Sequence, residues 1–423
     1  MSSSDLLPVD VASARILAAC VPLGSTRKAL TDVANDAVPG FLAERLDSLR
    51  ALPPFSNSAM DGYAVAAIDA VPATLKLVGQ SLAGHGSDVV IGAGEAIAIT
   101  TGAPIPAGTF AVVMREQCDE SRRAEGLVTV QHQPRPGEHI RQRGEDVDTG
   151  AIVGAVGDPL TPARLNLLWS AGHTQALVAR RPTVAIMASG DELKEVGAPL
   201  SDDDIVNSNA WAIAAACRRL GCVVRLLGIA TDTLADHVRL MEQGIADDVD
   251  VLLTIGGVSV GSHDFVRPAL EALNATLSLW RLAMRPGKPL AFGQLPRPAT
   301  GPATTSAPAV HFFGLPGNPV SAMVTFRLFV QPALLRLAGA PATTAAATRV
   351  AVLADDVAFT KKRGLAFFAR AVVDREGNAL VVRTVDRQGS GQISGLAEAN
   401  ALCCFPADAE RIDPGSAVDI LDL

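Results

Sequence analysis

Four short segments between residues 189 and 319 place acids, hydroxyls and glycines where chemistry on a phosphate could be done. They are Ser189-Gly190-Asp191-Glu192, Thr231-Asp232-Thr233, the run from Gly256 and Gly257 through Val258-Ser259-Val260-Gly261-Ser262-His263 to Asp264, and Gly314-Leu315-Pro316-Gly317-Asn318-Pro319. Glycines let a backbone approach a ligand closely, and a helix N-terminus favours anions. Asn318 followed by Pro319 fits an N-cap and a first helical position. Arg285-Pro286-Gly287-Lys288 adds two cations suited to a phosphate or oxyanion. Acids beside phosphate-binding turns suit Mg²⁺, a hard cation that takes oxygen ligands from protein and phosphate together. Glu192, Asp232 and Asp264 are the candidate acids. Singly, each also reads as a helix N-terminal residue stabilised by the dipole; gathered on one edge, they read as functional.

The elements that must hold these segments alternate from Pro182 onward. Strand-like runs TVAIMASG, VVRLLGIA, VDVLLTIGG, LSLWRLAM, PLAFGQ and HFFGLPG are interleaved with helical patterns over 208–220, 234–245, 264–274 and about 319–338. Such alternation implies a doubly wound α/β domain with a mostly parallel sheet. Ligands bind such a sheet beyond the carboxyl ends of its strands, and each of the four segments falls at one. Upstream, 8–20 and 159–172 read as helices, the latter with Thr161 as N-cap before Pro162, and 41–50 as a further one. Residues 74–147 are short apolar runs between turns, an all-β texture. The stretch 296–309 reads as a surface insertion, 341–347 as a linker, and 349–423 as a small β domain.

The chain has 423 residues, 48% apolar and 19% charged, which is globular and long enough for several domains. A net charge of −8 argues against general nucleic-acid binding but not against an anionic small ligand held by a few local cations. No apolar run approaches the roughly 18 residues of a membrane span, and the N-terminus carries no secretory pattern. The six cysteines form neither a CxxC pair nor a disulfide-like framework, so a cytoplasmic setting is expected. Neither a P-loop nor a dinucleotide fingerprint occurs, and no zinc spacing. Residues 257–261 match the G-x-S-x-G nucleophile elbow between a strand and a helix. Only His263 and His311 lie downstream, neither in a convincing loop, and Gly256 with Asp264 suits a phosphate turn better.

One further stretch, PPFSNSAMDGYAV at 53–65, has the composition of a loop yet holds apolar residues, the chain's single tyrosine Tyr63, and a charged Asp61. With it, ITTGAPIPAGTFAVVMRE, IRQRGEDV, SGDEL, IVNSN, GGVSVGSHD, RPGKPLAFG and GLPGNPVSAMVTF run in order to residue 326, and QGSGQISGL at 388–396 follows in the tail. In these motifs the chain resembles the molybdenum-insertase family, the bacterial molybdopterin molybdenumtransferases and the E domain of gephyrin.

The resemblance implies four units: a helical linker domain from 1–55 and 148–181, a β-rich subdomain at 56–147, an α/β molybdopterin-binding domain at 182–340, and a barrel-like β domain at 341–423. It implies insertion of molybdenum from molybdate into adenylylated molybdopterin with release of AMP, and a need for Mg²⁺. Glu192, Asp232 and Asp264 fall on active-site acids of the α/β domain, Glu192 and Asp264 being the expected metal ligands. Asp61, Thr101 and Asp146 fall on those of the β-rich subdomain, with Tyr63 anchoring its loop. Lys288 matches a family lysine, and Arg370 and Ser390 match tail positions near the oxyanion. By motif, the substrate-binding set extends to Ser189, Gly190, Asn207, Ser208, Gly256, Gly257, Ser259, Gly261, Arg285, Pro316, Gly317, Asn318 and Pro319. A homodimer is implied, each site joining modules of two protomers, with no nucleic-acid or membrane partner. Arg285 departs from the usual lysine, and the 296–309 insertion is long. A scaffold of the gephyrin type and a nucleotide-handling hydrolase built on the same α/β module are the alternatives.

Overall fold

The structure is a computed structural model that describes residues 6–245, 248–258, 264–297, 309–345 and 348–423. Ser259, Gly261 and most of the 296–309 stretch therefore lie outside the described residues. The α/β unit has six strands: β1 (Thr183–Ser189), β2 (Val223–Ala230), β3 (Val251–Ile255), β4 (Thr276–Arg281), β5 (Pro289–Leu295) and β6 (Val310–Leu315). Its helices are α1 (Ser208–Arg219), α2 (Leu234–Ile245), α3 (Val266–Ala272) and α4 (Pro319–Thr325). The sheet order is β2-β1-β3-β6-β5-β4. Pairings from β2 to β6 are parallel, while β5 and β4 run antiparallel at the far edge. The chain leaves β1 for β2 on one side and then returns to place β3 on the other. The order thus reverses between β1 and β3, and the crevice beyond their carboxyl ends is where such a sheet binds ligands.

Helices cover both faces, so the central strands are apolar throughout rather than alternating. Val184 and Ile186 of β1 pack with Ile213 and Cys217 of α1; Ala185 and Met187 face Leu240 and Met241 of α2. The 319–338 helix runs as α4, a π-helical turn at Phe326–Val330, and a last α-helical piece at Gln331–Leu337. Pro332 lacks an N–H to donate, and the preceding turn accommodates that gap. Pro319–Leu337 is long and apolar enough by length and composition to cross a membrane, but it is 67% buried and packs in the core that holds Ile213, Cys217 and Phe313.

The upstream helix Val9–Ala19 joins that same core through Ala12 and Ile16. Pro162–Ser170 is helical with Thr161 as its cap, the side chain accepting the Arg164 N–H. Residues 41–50 are not a helix. Phe41 and Leu42 bridge to Pro159 and Val178, and Leu46–Asp47 pairs with Ile152–Gly154. Leu42, Leu46 and Ser48 are buried while Arg45 and Asp47 are exposed, so a period of two and tertiary pairing win over the local pattern. The 341–347 stretch likewise holds a short helix, Ala342–Ala345.

The β-rich region forms a six-stranded sheet with Gly62–Val65 inside it, between Ala111–Met114 and Glu95–Ile99. The tail closes into a barrel-like sheet, because Ala366–Glu376 pairs with both Ala379–Thr384 and Ala401–Phe405. Met284–Arg285 of the α/β unit adds a strand to its edge.

Candidate active site

Four turns converge at the carboxyl edge of the α/β sheet. Ser189 ends β1. At Gly190, with φ +147°, a Cβ would lie 2.5 Å from Glu192 Oε2, so the Glu192 carboxylate folds back over the glycine. Asp191 Oδ1 accepts the Asp232 N–H at 2.9 Å, which ties the turn after β1 to the turn after β2. After β3, Gly256 and Gly257 take φ +90° and +65°, the left-handed region that suits glycine. A Cβ at Gly256 would meet the Ser189 carbonyl oxygen at 2.8 Å, and one at Gly257 would meet Val266 Cγ2 at 2.7 Å and Ser189 Oγ at 3.3 Å.

Asp264 stands just ahead of α3 and interacts with the backbone N–H groups of Arg267 and Val266. Its Oδ1 is buried with no hydrogen-bond partner among the described residues. Burial raises the pKa of this carboxyl, against the pull of those N–H groups. Helix capping thus engages this carboxylate without satisfying it.

After β6, Pro316 is buried, and Gly317 and Asn318 are exposed. Asn318 occupies the cap position of α4 but its side chain makes no capping bond. The carbonyl of Ser390 accepts the Val320 N–H instead, at 3.2 Å, so a loop of the tail sits on the α4 N-terminus beside Pro319. Asn207 is buried at the start of α1, Ser208 is exposed, and Asn209 Nδ2 donates to the Gly317 carbonyl at 2.7 Å. Asn209 is a tie that the IVNSN motif held but sequence reasoning did not single out.

Arg370 is 0% exposed and has no carboxylate partner among the described residues. Its Nε donates to the Arg387 carbonyl at 3.1 Å, and Nη2 donates to the carbonyls of Arg387 and Gly389. Nη1 has no partner among the described residues, and burial lowers the guanidinium pKa. The side chain therefore lies beneath the loop that carries Ser390 rather than on its surface. Arg285 is exposed, with its guanidinium 5.9 Å from the Phe367 ring centroid, and Lys288 is exposed.

In the β-rich region, Asp61 Oδ1 accepts the Thr101 N–H at 2.6 Å and the Thr101 hydroxyl at 2.9 Å. The first bond, then the second, holds the exposed Asp61 carboxyl below its ordinary pKa. Tyr63 is 1% exposed and donates its hydroxyl to Glu120, which also pairs with Arg115 and Arg123. Asp146 is exposed; its N–H donates to the Leu52 carbonyl at 3.1 Å. Among the described residues, no hydrogen bond joins 56–147 to the α/β unit, and no three metal-ligating side chains gather as a preformed group.

The sequence reading also passed over His237, which is 0% exposed in the first turn of α2. Its Nδ1 lies 2.9 Å from the Thr233 carbonyl and its Nε2 lies 2.8 Å from Ser189 Oγ. A lone histidine on a helical pattern offered no signal; only the fold brings it under the end of β1.

A doubly wound unit with glycine-rich turns and acids at its switch point, flanked by two β modules, is the architecture in which an anionic small ligand would sit at the β1/β3 crevice. Residues 7–172 match the family described as the MoeA N-terminal region (domain I and II), 185–336 a probable molybdopterin binding domain, and 351–423 the MoeA C-terminal region (domain IV). Among relatives, a molybdopterin molybdenumtransferase of Haemophilus influenzae is 34% identical over 395 residues, covering 91% of this chain and 92% of the relative. One of Staphylococcus aureus is 31% identical, covering 98% and 95%. A crystal structure of the molybdopterin biosynthesis moeA protein from Pyrococcus horikoshii OT3 superposes with TM-score 0.80 at 25% identity, covering 99% of this chain and 100% of that one. The chain belongs to the molybdopterin molybdenumtransferase family.

Proposed function

We infer that this enzyme inserts molybdenum from molybdate into adenylylated molybdopterin, releasing AMP and forming molybdenum cofactor. The observation that carries the reading is the β1/β3 crevice. There Gly190, Gly256 and Gly257 let the turns after β1 and β3 close against Glu192, Ser189 and Val266, and the buried Oδ1 of Asp264 beside them has no hydrogen-bond partner among the described residues. Mg²⁺ fits this donor set, since it uses one or two carboxylates and takes its remaining ligands from phosphate and water. Glu192 and Asp264 would hold it, with Asp232 on the neighbouring turn. When bound, the ion neutralises phosphate charge and orients the phosphoanhydride. The chain's own groups do the rest. Pro316, Gly317, Asn318, Pro319 and Ser390 shape the neighbouring wall, Lys288 and Arg285 supply positive charge for the oxyanion, and Arg370 fixes the Ser390 loop from below.

The Asp61–Thr101 pair belongs to the same chemistry but sits in a module with no hydrogen bond to the α/β unit of its own chain among the described residues. A homodimer in which Asp61, Thr101 and Asp146 of one protomer complete the crevice of the other accounts for this separation. The six cysteines are free, which suits a cytoplasmic setting.

The test is direct. Purified protein is supplied with adenylylated molybdopterin, Mg²⁺ and molybdate, and AMP and cofactor are quantified. AMP release coupled to cofactor formation is expected, with loss of both on chelation. Binding without either product would point to a scaffold, and AMP release without metal insertion to a nucleotide-handling hydrolase.

A further inference from the structure

His237 is one of the few fully buried polar side chains, and its two bonds run in one direction. The Thr233 carbonyl can only accept, so Nδ1, 2.9 Å away, carries the ring proton. Nε2 of the neutral ring is then an acceptor, and the hydroxyl 2.8 Å from it, that of Ser189, is the donor. The ring also packs against Phe265, the residue after Asp264, at 5.8 Å between centroids. His237 thus links three strand ends: Ser189 after β1, Thr233 after β2, and the Asp264–Phe265 step ahead of α3.

A buried imidazole must satisfy both nitrogens, and that alone would account for two partners. It does not account for which partner Nε2 has. Ser189 is the last residue of β1, half-exposed at the point where strand order reverses. It lies on the same side of the sheet as Ala185 and Met187, so its side chain faces α2. Gly257 stands close by: a Cβ there would come within 3.3 Å of Ser189 Oγ, a contact tighter than most that the glycine avoids. With its proton directed inward to His237, the oxygen has only lone pairs to offer.

We propose that His237 is a positioning residue that fixes the Ser189 hydroxyl as a hydrogen-bond acceptor at the β1/β3 crevice, where it takes an N–H or O–H donor of the ligand. The proposal rests on the functional reading above and adds the polarity of one contact. A serine beside phosphate turns would otherwise be expected to donate to a phosphate oxygen. Here it selects a donor, which the ligand offers on its pterin ring or on its nucleotide ribose.

The test is a double-mutant cycle on the full-length protein, read as dissociation constants for adenylylated molybdopterin and, separately, AMP. Ser189→Ala and His237→Phe should each weaken binding by about tenfold, the size of one lost hydrogen bond. The double variant should lose no more than either alone, as residues acting as one unit are non-additive. His237→Gln, which places an acceptor where Nε2 stands, should stay within about threefold of wild type. His237→Asn keeps the donor to Thr233 but cannot reach Ser189, and should match Ser189→Ala even if the Phe variant fails to fold. A loss seen with AMP as well assigns the donor to the nucleotide; a loss confined to the pterin-bearing ligand assigns it to the pterin. Additive losses, or tight binding by a folded His237→Asn, would overturn the proposal while leaving the functional reading intact. A wild-type protein that neither binds nor converts adenylylated molybdopterin would remove both.

Discussion

Asp61 and Thr101, forty residues apart in sequence, are locked together: one carboxylate oxygen of Asp61 accepts both the backbone N–H and the hydroxyl of Thr101. Both bonds favour the charged form, so the folded-state pKa is depressed. Their contribution to stability is therefore present above the unfolded carboxylate pKa and is lost as pH falls through the lower folded value. Thr101→Val removes the hydroxyl but keeps the N–H. The Asp61 pKa should move part of the way back towards its ordinary value, as read by carboxyl NMR titration, and turnover should fall. An unmoved titration would mean the hydroxyl bond contributes nothing.

Asp264→Asn and Glu192→Gln should leave folding intact and lower turnover by orders of magnitude, because charge stabilisation is often the largest catalytic term. For Asp264 the sign of the stability effect is also set. Its pKa is raised by burial, so the charged form is the disfavoured one in the fold. Asp264→Asn should be at least as heat-stable as wild type at neutral pH, with the difference vanishing in acid, below the unfolded carboxylate pKa, where both side chains are neutral. Thermal melts across pH check this.

Gly257→Ala tests the crevice itself. Its positive φ alone costs an alanine about 1–2 kcal/mol, and the added methyl would press on Val266 and crowd Ser189 Oγ. Gly84 has a similar positive φ, with open space where its Cβ would go. Gly84→Ala should therefore show a comparable backbone penalty but unchanged turnover per folded molecule, whereas Gly257→Ala should lose turnover as well. Equal turnover in the two variants would remove Gly257 from the site.

Arg370→Ala would leave the Arg387 and Gly389 carbonyls without their donor and open a cavity beneath the Ser390 loop. A loss of about 2–4 kcal/mol is expected by denaturant unfolding, together with lower turnover. Arg370→Lys should restore little, since a single ammonium cannot reproduce the fork.

The α/β unit was legible because its signals are local. Apolar strand runs, helical periods and glycine turns each name their element, and the doubly wound order follows from their alternation. Residues 41–50 misled because their extended conformation is imposed by partners more than one hundred residues away, as in the Leu42–Val178 bridge. Asn318 and Pro319 take the cap and first helical positions as read, but the Asn318 side chain makes no capping bond, because the carbonyl that accepts the Val320 N–H belongs to Ser390, in a different module. Arg370 matched a tail position near the oxyanion by motif alone, and its complete burial was not legible because sequence carries charge but not burial. His237 was invisible because nothing near it in the chain marks the Ser189 hydroxyl that it holds.

The most direct test of the account asks whether Asp61 and Asp264 act in one site supplied by two protomers. Asp61→Asn and Asp264→Asn, each inactive alone, are co-folded, and the fraction of mixed dimers is measured by tagging. A mixed dimer holds one site with both lesions and one with neither. With random pairing, half the dimers are mixed and half their sites are whole, so activity should recover to about a quarter of wild type. If each site were built within one chain, every site would carry a lesion, and a sample containing mixed dimers would stay inactive. That silence would contradict the shared site.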